Sequence, residues 1–340
     1  MACVKRTFFG NMRSFFRNRQ SVVVIFYSLL IISLLAGCNQ GQRMKYGFSK
    51  SKRLVVTNSD ALEMLLGLGA AENIVGIDDE DMSMKTFGAK YQWKSIGTWQ
   101  NPNIEAIINL APDIVIAYPR TPAPVGFDDK LIHFNISVER INGYHMSEYH
   151  SDIYRLASFV DKKNMADTLI NDFDRIINMI ENAVADIEVK KKIYVEYSDF
   201  VAAGAGSGNN EMIEMINATN IAAHLGPQYP KISTEWLLEE NPDVIIKIIT
   251  SGEITAALYE QMIARPGWDR LDAVKNGDVY LMSPELCSGP RAMIGCLYFG
   301  KWCYPEKFAS INPDSIHTYW LDKYYGISTD NNVYTLKMEI

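Results

Sequence analysis

Two glutamates occupy matched places in the chain. Glu105 and Glu235 each stand seven residues before a Pro-Asp pair, Pro112-Asp113 and Pro242-Asp243, and each pair opens an apolar run. The segments NIEAIINLAPDIVI from Asn103 and TEWLLEENPDVII from Thr234 echo one helix–strand unit. An acid in the first turn of a helix is favoured by the partial positive charge of the N–H groups there. Repetition puts the two acids at equivalent places in their units.

Other polar groups fall where strands end, which is where ligands sit in alternating strand–helix folds. Asn58 and Ser59 follow the first apolar strand, where Asn58-Ser59-Asp60 also reads as a capping cluster for the next helix, and Tyr118 and Arg120 follow the strand opened by Asp113. Arg291, in Gly289-Pro290-Arg291, brings a planar fork of donors that could face an anionic ligand. The same tripeptide could equally do no more than start the last large helix. Metal and enzyme readings lack ligands. The five histidines, His133, His145, His150, His224 and His317, place no two on one helical turn, and no Gly-x-Ser-x-Gly elbow or His-centred dyad is present. The glycine-rich stretch Gly204–Asn210 could offer amides to a phosphate. It lacks the lysine of a phosphate loop and the spacing of the dinucleotide fingerprint. It reads as a turn in which Asn209 or Asn210 caps the next helix. No catalysis, resident metal or cofactor is expected.

These groups need a scaffold, and the apolar pattern supplies one. Strands are predicted over 53–57, 73–77, 113–117 and 193–197, and helices over 61–68, 104–110 and 211–217. The continuously apolar strand at 113–117 suits a parallel sheet covered on both faces. Between the halves, Leu169, Phe173, Ile176, Ile180 and Val184 recur at three- and four-residue steps, and Ile187 continues the series. The spacing predicts one amphipathic helix over 164–190, nearly ~40 Å long at 1.5 Å per residue. It reads as a spine between two lobes of α/β type, 52–163 and 191–340.

The N-terminus has another character. Lys5, Arg6, Arg13, Arg17 and Arg19 precede an apolar run from Val22 to Ala36. That is the layout of an export signal, and the run is shorter than the ~20 residues a spanning helix needs. The order Leu35-Ala36-Gly37-Cys38 resembles the bacterial lipoprotein signal, whose cysteine becomes lipidated. An uncleaved anchor helix is the alternative, and in either case the body lies outside the cytoplasm, held to a membrane. Residues 1–37 are expected to be the signal and 38–51 a tether. The whole chain stands at −7, and removing the five positive charges of the signal leaves −12, which argues against nucleic acid. Of the cysteines beyond Cys38, Cys296 and Cys303 lie seven apart in a predicted helix, roughly 10 Å along its axis, too far for a bridge. Cys287 could pair with either, or all three could be buried thiols.

Several segments together resemble one family, the substrate-binding proteins of ABC importers for iron–siderophore, haem and cobalamin. LLGLGAAENIVG (Leu65 to Gly76) resembles its first helix-to-strand passage, and GTWQNPNIE (Gly97 to Glu105) with Pro112-Asp113 the segment around its first docking glutamate. Glu235 with Pro242-Asp243 resembles the counterpart. Trp268, AVKNG from Ala273 and Val279-Tyr280 resemble a late stretch before the helix that Gly289-Pro290-Arg291 begins. The resemblance runs over nearly all of the mature chain. It implies two Rossmann-like lobes joined by a single long rigid helix, with a metal chelate bound between them. It also implies that Glu105 and Glu235 pair with arginines of a permease dimer, and that Trp99 presents its flat indole to the ligand, as in cobalamin-binding members. A ligand sensor for a signalling partner and a chelatase-like enzyme are the rival readings.

Overall fold

Short apolar runs closed by polar residues make the strands, and the residues after each strand cap the next helix. The computed structural model describes residues 51–79, 91–120, 126–250, 252–327 and 333–337. The export signal, Cys38 and all of the tether except Ser51 lie outside the described residues. The first lobe runs β1 (Leu54–Val56), α1 (Ser59–Gly67), β2 (Ile74–Ile77), β3 (Lys94–Ser95), α2 (Ile104–Leu110), β4 (Ile114–Ala117), α3 (Phe127–Ile132), β5 (Ser137–Arg140) and α4 (Tyr149–Val160). Its strands lie parallel in the order β3-β2-β1-β4-β5. After α5 (Lys163–Val184) come β6 (Lys192–Ser198), β7 (Val201–Ala202), α6 (Gly208–Met215), β8 (Thr219–Asn220), α7 (Thr234–Glu240) and β9 (Val244–Ile248). The second lobe ends with α8 (Ala256–Ile263), α9 (Asp272–Lys275), β10 (Val279–Met282), α10 (Ala292–Cys303), α11 (Pro313–Trp320) and β11 (Thr335–Leu336). Its sheet runs β11-β10-β9-β6-β7, with β8 beside β6. The neighbour chain β2-β1-β4-β5 of one lobe therefore recurs as β8-β6-β9-β10 in the other.

The echoed segments fold as one unit used twice. Asn103 Oδ1 accepts from the Ala106 amide at 3.0 Å, and Ser233 Oγ accepts from the Trp236 amide at 3.3 Å, capping α2 and α7. Ala111 and Asn241 end these helices at φ 46° and 43°. The aspartates then tie the coming strand to its neighbour. Asp113 accepts from the Arg53 amide, and Asp243 from the Lys192 amide, both at 2.7 Å. Pro-Asp is thus a helix stop followed by a strand fastener.

Both sheets are apolar on two faces. Leu54, Val56, Ile114 and Ile116 of the first, with Ile193, Val195, Val244 and Ile246 of the second, belong to one continuous interior. Val55 and Val115 face a separate outer core, and Tyr194 and Ile245 face another. The shared interior is filled by α5, whose Phe173 ring lies 5.5 Å from Tyr149 and 5.2 Å from Trp320. This helix ends at Val184, earlier than the apolar spacing predicts, and spans about 33 Å. Tertiary partners take its continuation: Asn217 Nδ2 donates to the Ile187 carbonyl, and Tyr304 Oη accepts from the Lys191 amide.

Below the gap between the sheets the lobes are joined by a buried charge. Arg291 is 0 % exposed. Its Nε donates to Glu63 of α1 at 3.0 Å, and its Nη1 donates to Glu285, which follows β10, also at 3.0 Å. Arg291 therefore does not face a ligand, contrary to the reading of its fork from sequence; internal carboxylates saturate it. Burial works against its charge, but Glu63 and Glu285 outweigh this and hold its pKa well above the ordinary value. Burial likewise pushes Glu63 up, against the pull of Arg291. The approach is close enough to need glycine. Gly289 has φ +57°, and a Cβ there would stand 3.3 Å from the Asp60 Cα. Removing one partner of a buried ion pair leaves the other uncompensated, at a cost of about 3–5 kcal/mol. Arg291→Ala should lose about that much in urea unfolding, and a loss below about 1 kcal/mol would mean that water reaches Glu63.

Candidate functional site

The carboxyl ends of the two sheets face each other across a cleft of about 780 Å³. The first lobe lines it with residues that follow its strands: Ser59 and Asp60 after β1, Asp78 after β2, Tyr118 after β4, Tyr144 after β5. The second lobe does the same with Tyr197 at the end of β6, Thr250 after β9 and Glu285 after β10. Ser59 and Tyr118 meet between the two central strands, their hydroxyls 2.7 Å apart.

Trp99 reaches the cleft on a closed excursion of chain. A bridge pairs Gly97 with Pro102, and the Asn103 amide donates to the Ile96 carbonyl at 2.6 Å. The indole then meets the Tyr118 ring edge-on, with centroids 5.5 Å apart. Across the cleft, Tyr229 lies 4.8 Å from the ring of Tyr197. Tyr229 stands six residues before Glu235, as Trp99 stands six before Glu105, so the repeated unit carries a cleft aromatic as well as an acid. Both glutamates are exposed in the first turn of their helices. The Glu235 carboxyl is held below its ordinary value by backbone and Ser233 hydrogen bonds.

One end of the cleft is bridged directly. The Tyr144 and Tyr229 hydroxyls are 2.6 Å apart, joining the two lobes. Beside them His145 Nδ1 meets Glu211 of α6, and the Met146 amide donates to the same carboxylate at 3.0 Å. Tyr144 and Tyr229 were not singled out by sequence, although the spacing of Tyr229 to Glu235, equal to that of Trp99 to Glu105, is a signal that could have found Tyr229. Tyr197 was within reach, because it ends a predicted strand.

The remaining expected residues divide. Ser59, Trp99 and Tyr118 line the cleft, and Arg120 stands exposed at its edge. Asn58, placed in the cleft by its position after the first strand, is instead fully buried beside it. Its Oδ1 accepts from the Ala61 amide, capping α1, and its Nδ2 donates to the Ile141 carbonyl at 2.8 Å. Both ends of that amide are spent on backbone. The cap of α6 is Ser207, whose Oγ accepts from the Asn210 amide, rather than Asn209 or Asn210. Asn209 lines the cleft, while Asn210 donates to Glu214. Cys287, Cys296 and Cys303 are free, buried thiols, and burial pushes Cys287 up to about 12.

A family profile described as periplasmic binding protein matches residues 54–286, across both sheets and the cleft between them. The ABC transporter substrate-binding lipoprotein YvrC of Bacillus subtilis (strain 168) is 27% identical over 312 residues, covering 82% of this chain and 96% of its own. The Fe(3+)-citrate-binding protein YfmC of the same organism is 25% identical over 234 residues, covering 67% of this chain and 72% of its own. Among solved structures, the TroA-like periplasmic binding protein FepB from Veillonella parvula superposes with a TM-score of 0.73 at 19% identity, covering 86% of this chain and 96% of that one. Two lobes of one topology that meet at an aromatic-lined cleft, under a profile that spans both, mean that the chain belongs to the periplasmic binding protein family.

Proposed function

We propose that this chain is the extracytoplasmic substrate-binding lipoprotein of an ABC importer, which captures a metal chelate of the iron–siderophore, haem or cobalamin type and passes it to a permease dimer. The observation that carries the reading is the cleft itself. It is of ligand size, built from the strand ends of both lobes, and faced by aromatic rings from each. Absorbance of the protein as isolated, followed by titration with chelates, tests it directly, because corrinoids, haem and ferric catecholates absorb visibly and differently.

Glu105 and Glu235 are the docking charges in this reading. Their matched helices, caps and Pro-Asp fasteners hold two exposed carboxylates in equivalent places. Uptake in cells should fall by about tenfold or more, equivalent to ~1.4 kcal/mol, in the Glu105→Ala/Glu235→Ala protein. Its affinity for the chelate in solution should stay unchanged. Lost ligand binding by the folded double variant would move these residues into the cleft, and normal uptake would remove them from docking.

Membrane attachment falls to Cys38, which ends the Leu-Ala-Gly-Cys sequence. More than one acyl chain is needed for a stable anchor. Cys38→Ser should leave the membrane fraction or remain unprocessed. A variant processed and sedimenting like the natural protein would contradict lipidation.

The helix between the lobes is read as a rigid spine because α5 is buried in an interior shared by both sheets. Wide hinge closure would have to open that interior. Small-angle scattering should show a radius of gyration nearly unchanged on ligand binding; a decrease of roughly 1 Å or more would indicate a hinge.

A further inference from the structure

We propose that Tyr144 and Tyr229 form a gate on the cleft, which sets how fast a ligand enters and leaves without setting how tightly it is held. The inference rests on the cleft being the ligand site of an importer's binding protein. The lobes are tied on the floor by Arg291, which bonds Glu63 and Glu285, and again at one end, where the Tyr144 and Tyr229 hydroxyls meet at 2.6 Å. These ties differ in strength. Opening the floor would strand buried charge. Parting the hydroxyls breaks one neutral hydrogen bond, and both side chains are only half-buried, so water can take it over. Of the two, the tyrosine tie is the one that yields.

The surroundings give each tyrosine a different part. Tyr144 is the fixed catch. A Cβ at Gly208, in the first turn of α6, would stand 3.2 Å from Tyr144 Cζ, so the ring is seated against that glycine. The next two residues hold the same helix, His145 through its ring and Met146 through its amide, both on Glu211. Tyr229 is the moving leaf. The residues on either side of it are bound, since the Gly204 amide donates to the Gln228 carbonyl at 2.8 Å and the Ala202 amide to the Pro230 carbonyl at 2.9 Å. With its backbone fixed, the phenol swings about its own side-chain bonds, and its ring neighbour Tyr197 is itself 40% exposed. Such a swing needs no turn of the lobes, which suits a helix α5 buried between them.

The gated end is the one marked by a docking acid. Tyr229 stands six residues before the exposed Glu235, on the stretch that leads into α7, so a ligand passing towards the docking partner passes this phenol. The two hydroxyls are spent on each other, so their bond belongs to the protein and not to a ligand. Breaking it is a step common to entry and exit. A conformational step of that kind slows association, and because exit crosses it too, the balance between entry and exit is unchanged.

The test is stopped-flow kinetics of the purified full-length protein with three coloured probes, cyanocobalamin, haemin and ferric citrate. Tyr144→Phe and Tyr229→Phe keep the rings and remove one hydroxyl each. For a probe that binds, each variant is expected to raise the association and dissociation rates by one common factor of about threefold to tenfold, with Kd held within about twofold. The double variant should match the single ones, because all three lose the same bond. Circular dichroism checks folding, and Tyr229→Phe carries the comparison if the Tyr144 variant does not fold. Unmoved rates in folded variants would overturn the gate, leave the pair a structural brace and leave the chelate-binding function standing. A Kd weakened through dissociation alone, or effects that multiply in the double variant, would place the hydroxyls on the ligand and overturn it equally. Binding of none of the three probes would overturn the chelate-binding function and the gate with it.

Discussion

A guanidinium cut off from water holds the two lobes at a fixed distance. Arg291 satisfies its charge only while Glu63 of the first lobe and Glu285 of the second are both in place. Parting the lobes at this point would strand buried charge, which is among the costlier states a protein interior can adopt. Tyr325 adds a hydrogen bond to Glu63 at 3.1 Å, and Tyr149 donates to the Gly289 carbonyl at 2.6 Å, so the neighbours of the ion pair are fastened too. In the proposed function the cleft above this floor is a standing slot, so that a ligand entering it does not have to order its walls, which keeps the entropy cost of binding low.

The rest of the architecture follows from keeping that slot open. Two sheets of equivalent strand order aim their carboxyl ends at it, and their inner faces share one apolar interior around α5. At one end the Tyr144–Tyr229 hydroxyl pair spans the gap. The repeated helix–strand unit sets an aromatic ring and an exposed acid on the same short stretch in each lobe, so the ligand walls and the outward charges share a rigid mounting.

What could be read from sequence was local. The helix at 104–110 and its counterpart before Pro242 were legible because cap, helix stop and strand fastener lie within a dozen residues of one another. Trp99, Ser59 and Tyr118 were legible as strand-end or loop residues next to such units. Arg291 and Asn58 were misplaced for the opposite reason. Arg291 reaches Glu285 six residues before it but also Glu63, 228 residues away on the other lobe, and Asn58 caps Ala61 locally but also holds the Ile141 carbonyl, 83 residues away, so the distant half of each residue's use was hidden. The spine was overrun for a similar cause. Its apolar period continues through Ile187, but side chains from the second lobe claim the backbone there. Tyr229 was within reach of the repeat, six residues before Glu235 as Trp99 is before Glu105.

The distances along the chain carry a consequence for how this fold is reached. Glu63 waits 228 residues for Arg291 and 262 for Tyr325, while Asp172 of α5 accepts from Tyr324, 152 residues later. Phe173 is covered by Trp320, near the far end of the chain. The first half therefore cannot seal its interior while the second is missing, and a topology rich in such remote contacts folds slowly. A polypeptide delivered N-terminus first stays open until its tail arrives. Late closure of this kind suits the export proposed for this chain, since it keeps the polypeptide slack for as long as threading through a membrane lasts.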